Sequence, residues 1–264
     1  MSVKIAIVTG ASSGLGREFA RQLFRKDCLD EIWVIARREE RLRRLCESGS
    51  QTGTNHTRIR AVPLDLTKPA SFATIRAMLE REQPDVRCLV NAAGFGKIGS
   101  WRDISMEDCA SMIDLNCKAA VMMTQLVLPY MRKGANVLEI CSTASFQPFP
   151  YLGVYAASKA FLYRYSRALR EELSGTGIGV TAVCPYWIRD TEFIRKAKES
   201  GNSSYIRHFP FASRENRVVR RALMDARRGL AVSTPGPVCT IHRVAARWIP
   251  SGVMMGIWAL IRRI

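Results

Sequence analysis

The sequence predicts an α/β chain: a single doubly wound parallel sheet flanked by helices, followed by a helical C-terminal extension. Three observations carry this. Short apolar runs alternate with helix-length stretches through the first two-thirds of the chain. A glycine-rich loop follows the first run directly, between it and a helical pattern. The length of 264 residues allows one large α/β domain or two small ones and is ample to bury a core. Strands separated by helices need parallel pairing with right-handed crossovers. No repeat or obvious linker interrupts the pattern, so residues 1–264 read as one domain.

Element by element, VKIAIV (3–8) is a buried strand and 14–26 a helix. EIWVIA (31–36) is the second strand, followed by a charged helix at 38–47. RIRAVPL (58–64) is the third, with a helix at 69–82. VRCLVN (86–91) is the fourth, with a long helical pattern over 105–131. ANVLEIC (135–141) is the fifth, 151–174 a helix, and IGVTAVC (178–184) the sixth. Beyond Pro185 the regularity lapses, so 186–228 reads as a substrate lid, helical over 214–228. GLAVST (229–234) is a last strand, stopped by Pro235-Gly236-Pro237. Apolar residues then recur at helical spacing through 236–264, broken by Pro250-Ser251-Gly252 into two short helices.

Composition excludes several classes. At 47% hydrophobic and 24% charged residues, the balance is that of an ordinary globular protein. No apolar run reaches the roughly 18–20 residues of a transmembrane helix. Met1-Ser2-Val3-Lys4 passes straight into IAIVT and the glycine loop, without the longer apolar region of a signal peptide, so a cytoplasmic chain is expected. Eight cysteines are scattered without a CxxC pair, which reads as reduced thiols rather than disulfides. His56, His208 and His242 have no paired spacing, and no metal site is expected. The net charge is +17, and residues 189–264 alone hold 15 basic and 5 acidic side chains. That excess suits an anionic membrane surface, nucleic acid or an acidic ligand, or is a solvated basic face. Without an RNP-like motif or an interleaved basic and aromatic platform, nucleic acid is not an expected partner.

Chemistry is concentrated at the carboxyl ends of the strands. In TGASSGLG (9–16), Gly10 permits the tight turn, Gly14 close backbone approach, and Gly16 helix–sheet packing. With Ser12, Ser13 and Leu15 between them, these residues present helix N-terminal amides to a pyrophosphate. A second strand ending in an acidic residue would select the free ribose 2′-hydroxyl of NAD(H). Here Ala36-Arg37-Arg38 stands instead, which favours the 2′-phosphate of NADP(H) through charge-assisted contacts. The alternative is the start of a charged helix, since Glu39, Glu40, Arg41, Arg43 and Arg44 follow. Asp65 and Leu66, ending the third strand, are expected at the adenine edge, although Asp65 equally suits a turn cap. Asn91, Ala92, Ala93 and Gly94 end the fourth strand with small residues where a cofactor can lie against the backbone.

Ser142, Tyr155 and Lys159 form the most specific constellation. Tyr155 and Lys159 lie four residues apart on one helix face, and Ser142 follows the fifth strand at the ligand-binding edge. Tyrosine has a reference pKa of about 10. A neighbouring ammonium and a cationic nicotinamide favour its phenolate and make proton transfer feasible near neutrality. Ser142 is a hydrogen-bonding partner for a substrate oxygen. The structural alternative is a helix with one surface Lys and one packed Tyr.

TGASSGLG, NAAG, Asn116 in LNCKA, Ser142 in CSTAS and YAASK (155–159), in this order and spacing, resemble the short-chain dehydrogenase/reductase family across roughly residues 3–191. The resemblance implies a Rossmann-like fold and reversible hydride transfer between NADP(H) and a secondary alcohol/ketone pair. It implies Tyr155 as general acid/base, Ser142 as the group that polarises the carbonyl, and Lys159 as ribose ligand and Tyr activator. Asn116 would hold a water in the proton relay, while Ser158 is expected to be structural. It also implies a homodimer or homotetramer. The family usually follows its sixth strand with Pro-Gly and a nearby Thr. The resemblance implies nicotinamide contacts by Pro185, Ile188 and Thr191, although here Pro185 precedes Tyr186-Trp187-Ile188 and Thr191 is shifted by one, a departure from that pattern. Phe146, Phe149, Tyr151, Trp187, Phe193 and Tyr205 are expected around a lipophilic substrate such as a hydroxysteroid, with a 3-oxoacyl compound as the alternative. A nucleotide-binding regulatory protein with little turnover is the rival class, opposed by the intact Ser, Tyr and Lys. Residues 236–264, with Arg243, Arg247, Arg262 and Arg263 and no acidic residue, are expected to serve a lid, a subunit contact or a peripheral membrane contact.

Overall fold

Seven strands build the fold in the computed structural model, which describes residues 2–26, 28–50, 57–189, 191–198, 205–206 and 212–262. They are β1 (Lys4–Thr9), β2 (Glu31–Ala36), β3 (Arg58–Pro63), β4 (Asp85–Asn91), β5 (Met131–Ile140), β6 (Gly179–Val183) and β7 (Val232–Ser233). All pair in parallel, in the order β3-β2-β1-β4-β5-β6-β7. The chain therefore reverses direction across the sheet between β1 and β4. That is the switch point at which doubly wound sheets open a crevice for ligands.

Alternation along each strand feeds two apolar layers. Ala6 and Val8 of β1 face one cluster with Ile32 and Val34 of β2; Ile5, Ile7, Trp33 and Ile35 face the other. Helices α1 (Gly14–Lys26) and α2 (Glu39–Ser50) cover the first side, and α3 (Pro69–Glu82) the second. Burial on both faces is why these strands read as continuous Ile/Val runs rather than alternating ones.

The 105–131 pattern is not one helix. It divides into α4 (Met106–Ile113), a π-helical turn (Asp114–Lys118), α5 (Ala119–Val127) and a 3₁₀ turn at Leu128–Tyr130, where Pro129 cannot donate the next helical bond. Strand β5 begins at Met131, four residues before the expected start. After α6 (Gly153–Glu172) and β6, the described part of the irregular segment holds one short helix, α7 (Phe193–Ala197).

Helix α8 (Glu215–Arg227) is not part of a lid. Its Val219, Ala222, Leu223 and Ala226 are buried in the same apolar layer as α1. The last strand shrinks from the expected 229–234 to two residues, because Gly229 turns at φ 69° and Leu230 N–H is bonded to Asp225 carbonyl. The C-terminal pair forms as α9 (Pro237–Trp248) and α10 (Ser251–Ile261). Among the described residues no helix is long and apolar enough to cross a membrane.

Replacing fully buried Phe19 by Ala is expected to cost about 3–5 kcal/mol in denaturant unfolding. The same change at exposed Phe161 should stay within about 0.5 kcal/mol.

Candidate active site

A cavity of about 570 Å³ opens at the switch point, lined from the glycine loop at one end to Phe193 at the other. The loop closes because its glycines carry no Cβ. A methyl on Gly10, whose φ is 68°, would stand 2.7 Å from the Ala92 carbonyl oxygen. One on Gly16 would reach Gly10 oxygen at 2.5 Å, and one on Gly94 would meet Asn116 Oδ1 at 2.8 Å. Thr9 Oγ1 accepts the Ala92 and Ala93 N–H groups at 3.0 Å each, tying the end of β1 to the end of β4. A cradle of bare backbone beside the first turn of α1 fits a pyrophosphate. Gly10, Ser12, Ser13, Gly14, Leu15, Gly16, Ala92, Ala93 and Gly94 all line the cavity.

Past the end of β2, Arg38 donates from Nε and Nη2 to Ser12 Oγ (3.1 and 3.0 Å) and from Nη2 to Ser13 Oγ at 2.7 Å. Its Nη1 donates to Glu192 Oε2 at 2.8 Å. Arg37 is largely exposed and stands 3.9 Å from Asp65. Asp65 accepts from Thr67 N–H and Oγ1 at 3.0 and 2.8 Å, so it caps the turn while still lining the cavity beside Leu66. The charged-helix alternative also holds further along, where Glu40 pairs with Arg43 and Arg44.

At the other end, Ser142, Tyr155 and Lys159 converge. Ser142 Oγ accepts Ala144 N–H at 3.1 Å and is bonded to the Tyr155 side chain. Tyr155 is buried against Phe193 and against Gly96, where a methyl would come within 2.7 Å of its ring. Burial pushes its phenol up to about 12, with the Ser142 bond pulling the other way. Lys159 Nζ donates to Ile140 carbonyl at 2.7 Å and lies 6.0 Å from the centre of the Tyr155 ring; burial lowers its pKa. The surface-Lys alternative is excluded, since Lys159 is 5% exposed.

Asn116 sits in the π turn, fully buried and outside the cavity lining. Its Nδ2 donates to Phe95 carbonyl and Ser158 Oγ, both at 2.9 Å, and its Oδ1 accepts Phe95 N–H at 3.0 Å. Both ends of the amide bond protein partners, so the side chain fixes the Phe95 backbone. Ser158 is structural as expected, donating on to Tyr155 carbonyl at 2.7 Å. Asn91 also points away from the cavity: its Nδ2 donates to Glu139 Oε1 and Thr124 Oγ1, each at 2.9 Å. The sequence reading did not single out Glu139, though a carboxylate inside the apolar run VLEIC was a legible signal. It is fully buried, and desolvation raises it to about 7. Glu192 was missed too, because its partners lie about 150 positions away in the sequence.

Pro185, Ile188 and Thr191 line the cavity, joined by Tyr186, Trp187, Phe149, Phe193 and the unforeseen Phe95. Phe146 does not: it packs edge-on against Tyr163 and His242. Tyr151 and Tyr205 are likewise absent from the lining and stack on each other at 4.1 Å. All eight cysteines are free, and no cluster able to hold a metal exists among the described residues.

This geometry has known relatives. The profile of the family described as short chain dehydrogenase matches residues 4–202, and the chain belongs to that family. Over 193 residues it is 36% identical to sulfoacetaldehyde reductase 2 of Chromohalobacter salexigens, covering 72% of this chain and 74% of the relative. Over 192 residues it is 34% identical to the NADP-dependent 3-hydroxy acid dehydrogenase YdfG of Salmonella typhi, with the same coverage, 72% and 74%. A short-chain dehydrogenase from Sphingobium yanoikuyae in complex with NADPH superposes with TM-score 0.77 at 27% identity, covering 99% of this chain and 96% of that one. The chain is thus an oxidoreductase fold of this family, with a Rossmann-like seven-stranded sheet.

Substituting Asn116 by Ala strips Phe95 of two backbone partners. An unfolding midpoint shift equivalent to about 1–3 kcal/mol is expected, measured against the wild type in urea.

Proposed function

We propose that this protein is an NADP(H)-dependent oxidoreductase that interconverts a ketone and a secondary alcohol on a lipophilic substrate such as a hydroxysteroid. The observation that carries the reading is the buried Ser142–Tyr155–Lys159 cluster, which opens into the same cavity as the glycine loop. When bound, the nicotinamide cofactor supplies or accepts the hydride. Every other task falls to side chains of this chain. Tyr155 is the acid/base: burial keeps its phenol protonated at neutral pH, loaded to protonate a carbonyl oxygen during reduction. Ser142, bonded to that phenol, orients the same oxygen. Lys159 holds positive charge beside the ring and favours the phenolate left behind. Asn116 is a positioning residue that fixes the Phe95 backbone beside the cavity.

For the cofactor, Gly10 to Gly16 would hold the pyrophosphate, and Arg37 and Arg38 the 2′-phosphate. Asp65 and Leu66 would meet the adenine, and Ala92 to Gly94, Tyr155 and Lys159 the nicotinamide ribose. Pro185, Ile188 and Thr191 would meet the nicotinamide ring. The preference for NADP(H) over NAD(H) is supported by the absence of a carboxylate at the end of β2 and by the NADP(H) of two relatives. The apolar substrate class is supported by Phe95, Phe149, Trp187 and Phe193 in the lining. A 3-oxoacyl substrate is the second reading, favoured by the 3-hydroxy acid dehydrogenase relative.

Tyr155→Phe should abolish ketone-dependent oxidation of NADPH while leaving NADPH affinity within about twofold, a difference of a few tenths of a kcal/mol. Wild-type reduction should hold level through neutral pH and decline only in the alkaline range, as the phenol loses its proton. Turnover by the Phe variant comparable to wild type, under conditions where chemistry limits the rate, overturns the assignment.

The same subsection of the molecule that borders the cavity also suits an anionic lipid surface. Ile241, Val244 and Trp248 of α9 and Val253, Ile257 and Leu260 of α10 are exposed, while Trp258 packs on the cavity residue Phe149. Arg243, Arg247 and Arg262 accompany them, and no acidic residue follows Asp225. Anionic headgroups complement this run of positive charge with no acidic residue to neutralise it. The protein should float with phosphatidylserine-containing vesicles, lose that binding at high salt, and lose it on Trp248→Ser with Leu260→Ser. Failure of the folded protein to float, together with a dimer dissociated by the same two changes, would make this face a subunit contact instead.

A further inference from the structure

The arginine site at the end of β2 already holds an anion, supplied by the chain itself. Glu192 accepts from two separate guanidinium groups, one on each carboxylate oxygen: Arg38 Nη1 at 2.8 Å on Oε2 and Arg41 Nη1 at 2.7 Å on Oε1. Arg195 stands 4.0 Å from Oε1. Because of the Arg38 and then the Arg41 bond, the carboxyl is pulled down to about 2 and is fully ionised at neutral pH. The rest of Arg38 is pinned by Ser12 and Ser13 of the glycine loop. Its guanidinium is therefore fixed in place, with one edge turned to whatever anion occupies the site.

Glu192 is also well connected on its own side. It lines the same cavity as Arg37, Arg38 and Ser13. It lies between Thr191, whose methyl would stand 3.3 Å from a Cβ on Gly14, and Phe193, which packs on Tyr155. The ion pairs thus join the β2–α2 turn to the segment that opens α7 and carries part of the substrate pocket.

We propose that Glu192 is an internal stand-in for the ribose 2′-phosphate: held by Arg41 on one oxygen, it competes with that phosphate for Arg38 on the other, and its displacement frees the 191–197 segment when NADP(H), but not NAD(H), enters. The physical basis is charge. A 2′-phosphate carries about −1.5 to −2 at neutral pH and offers three acceptor oxygens, more than a carboxylate can match. A phosphate that takes the Arg38 guanidinium brings its charge next to the Glu192 carboxylate, and the two anions repel each other there. A cofactor with a plain 2′-hydroxyl brings no charge and leaves the Glu192 bridge intact. The consequence is a trade: the bridge lowers NADP(H) affinity and in exchange couples cofactor identity to the position of Phe193 and α7.

The proposal rests on the reading of Arg37 and Arg38 as phosphate ligands, and the test separates the two. Calorimetric titration of the cofactor-free protein with 2′,5′-ADP and 5′-ADP is compared for wild type, Glu192→Gln, Glu192→Ala and Arg38→Ala. Both Glu192 variants should bind 2′,5′-ADP about tenfold tighter than wild type and bind 5′-ADP unchanged; tenfold corresponds to about 1.4 kcal/mol. Hydrogen–deuterium exchange across 193–198 in wild type should be faster with 2′,5′-ADP than with 5′-ADP. In Glu192→Gln it should be the same with either ligand. Unchanged or weakened 2′,5′-ADP binding by the Glu192 variants, while Arg38→Ala still weakens it selectively, overturns the competition and leaves the phosphate reading standing. Equal effects of Arg38→Ala on both nucleotides overturn the phosphate reading and the proposal with it.

Discussion

The site depends on how closely two backbone segments approach each other at the switch point. A single methyl on Gly10 would collide with the Ala92 carbonyl, so the turn after β1 can lie on the end of β4 only because that methyl is missing. Thr9 completes the contact by accepting two successive amides from the β4 end, which leaves neither buried N–H unsatisfied. From this contact follow the direction of α1, the exposure of its first amides, and the placing of Gly94 against Asn116 and Lys159. The Phe95 segment continues that path and is locked by the amide of Asn116, which the π turn carries inward. Cofactor cradle and proton-transfer cluster are thus two ends of one packed backbone arrangement.

Burial then sets the chemistry of the cluster. It moves the two key groups in opposite directions, the Tyr155 phenol up and the Lys159 ammonium down, because it disfavours charge on either. Both shifts disfavour charge and move the two proton affinities apart, leaving the phenol the more tightly protonated of the pair. The Ser142 bond offsets part of the shift on Tyr155. Glu139, fully buried behind this cluster and raised to about 7, belongs to the same low-dielectric region; Asn91 and Thr124 hold its one satisfied oxygen. Charge introduced into the cavity is felt strongly here, since little water intervenes to screen it.

Most of the fold was legible because it rests on local pattern. Apolar runs buried on both faces of a parallel sheet announce themselves, and β1, β2, α1 and α3 fall within a residue or so of where periodicity puts them. The glycine loop and YAASK were legible for the same reason, being short motifs whose spacing has a mechanical cause. What escaped was non-local. The break in the 105–131 helix depends on a buried amide finding Phe95, and β7 is short because Asp225 and Thr181 capture the chain around Leu230. Side-chain direction was the other gap: Asn91 and Phe146 sit in the right segments yet face Glu139 and Tyr163 instead of the cavity. Glu192 illustrates both limits, since its partners lie far away in sequence and only the fold brings them together.

The most direct measurement of the central claim is the absorbance of NADPH after mixing with wild-type protein and a panel of bulky ketones, with alcohol product quantified in parallel. The account predicts that at least one apolar ketone drives NADPH consumption, mole for mole with the secondary alcohol formed, and that NADH supports the reaction less well. Tight NADPH binding with no consumption by any ketone, and no reverse reaction from the alcohols with NADP+, would contradict it and identify a nucleotide-binding protein without turnover.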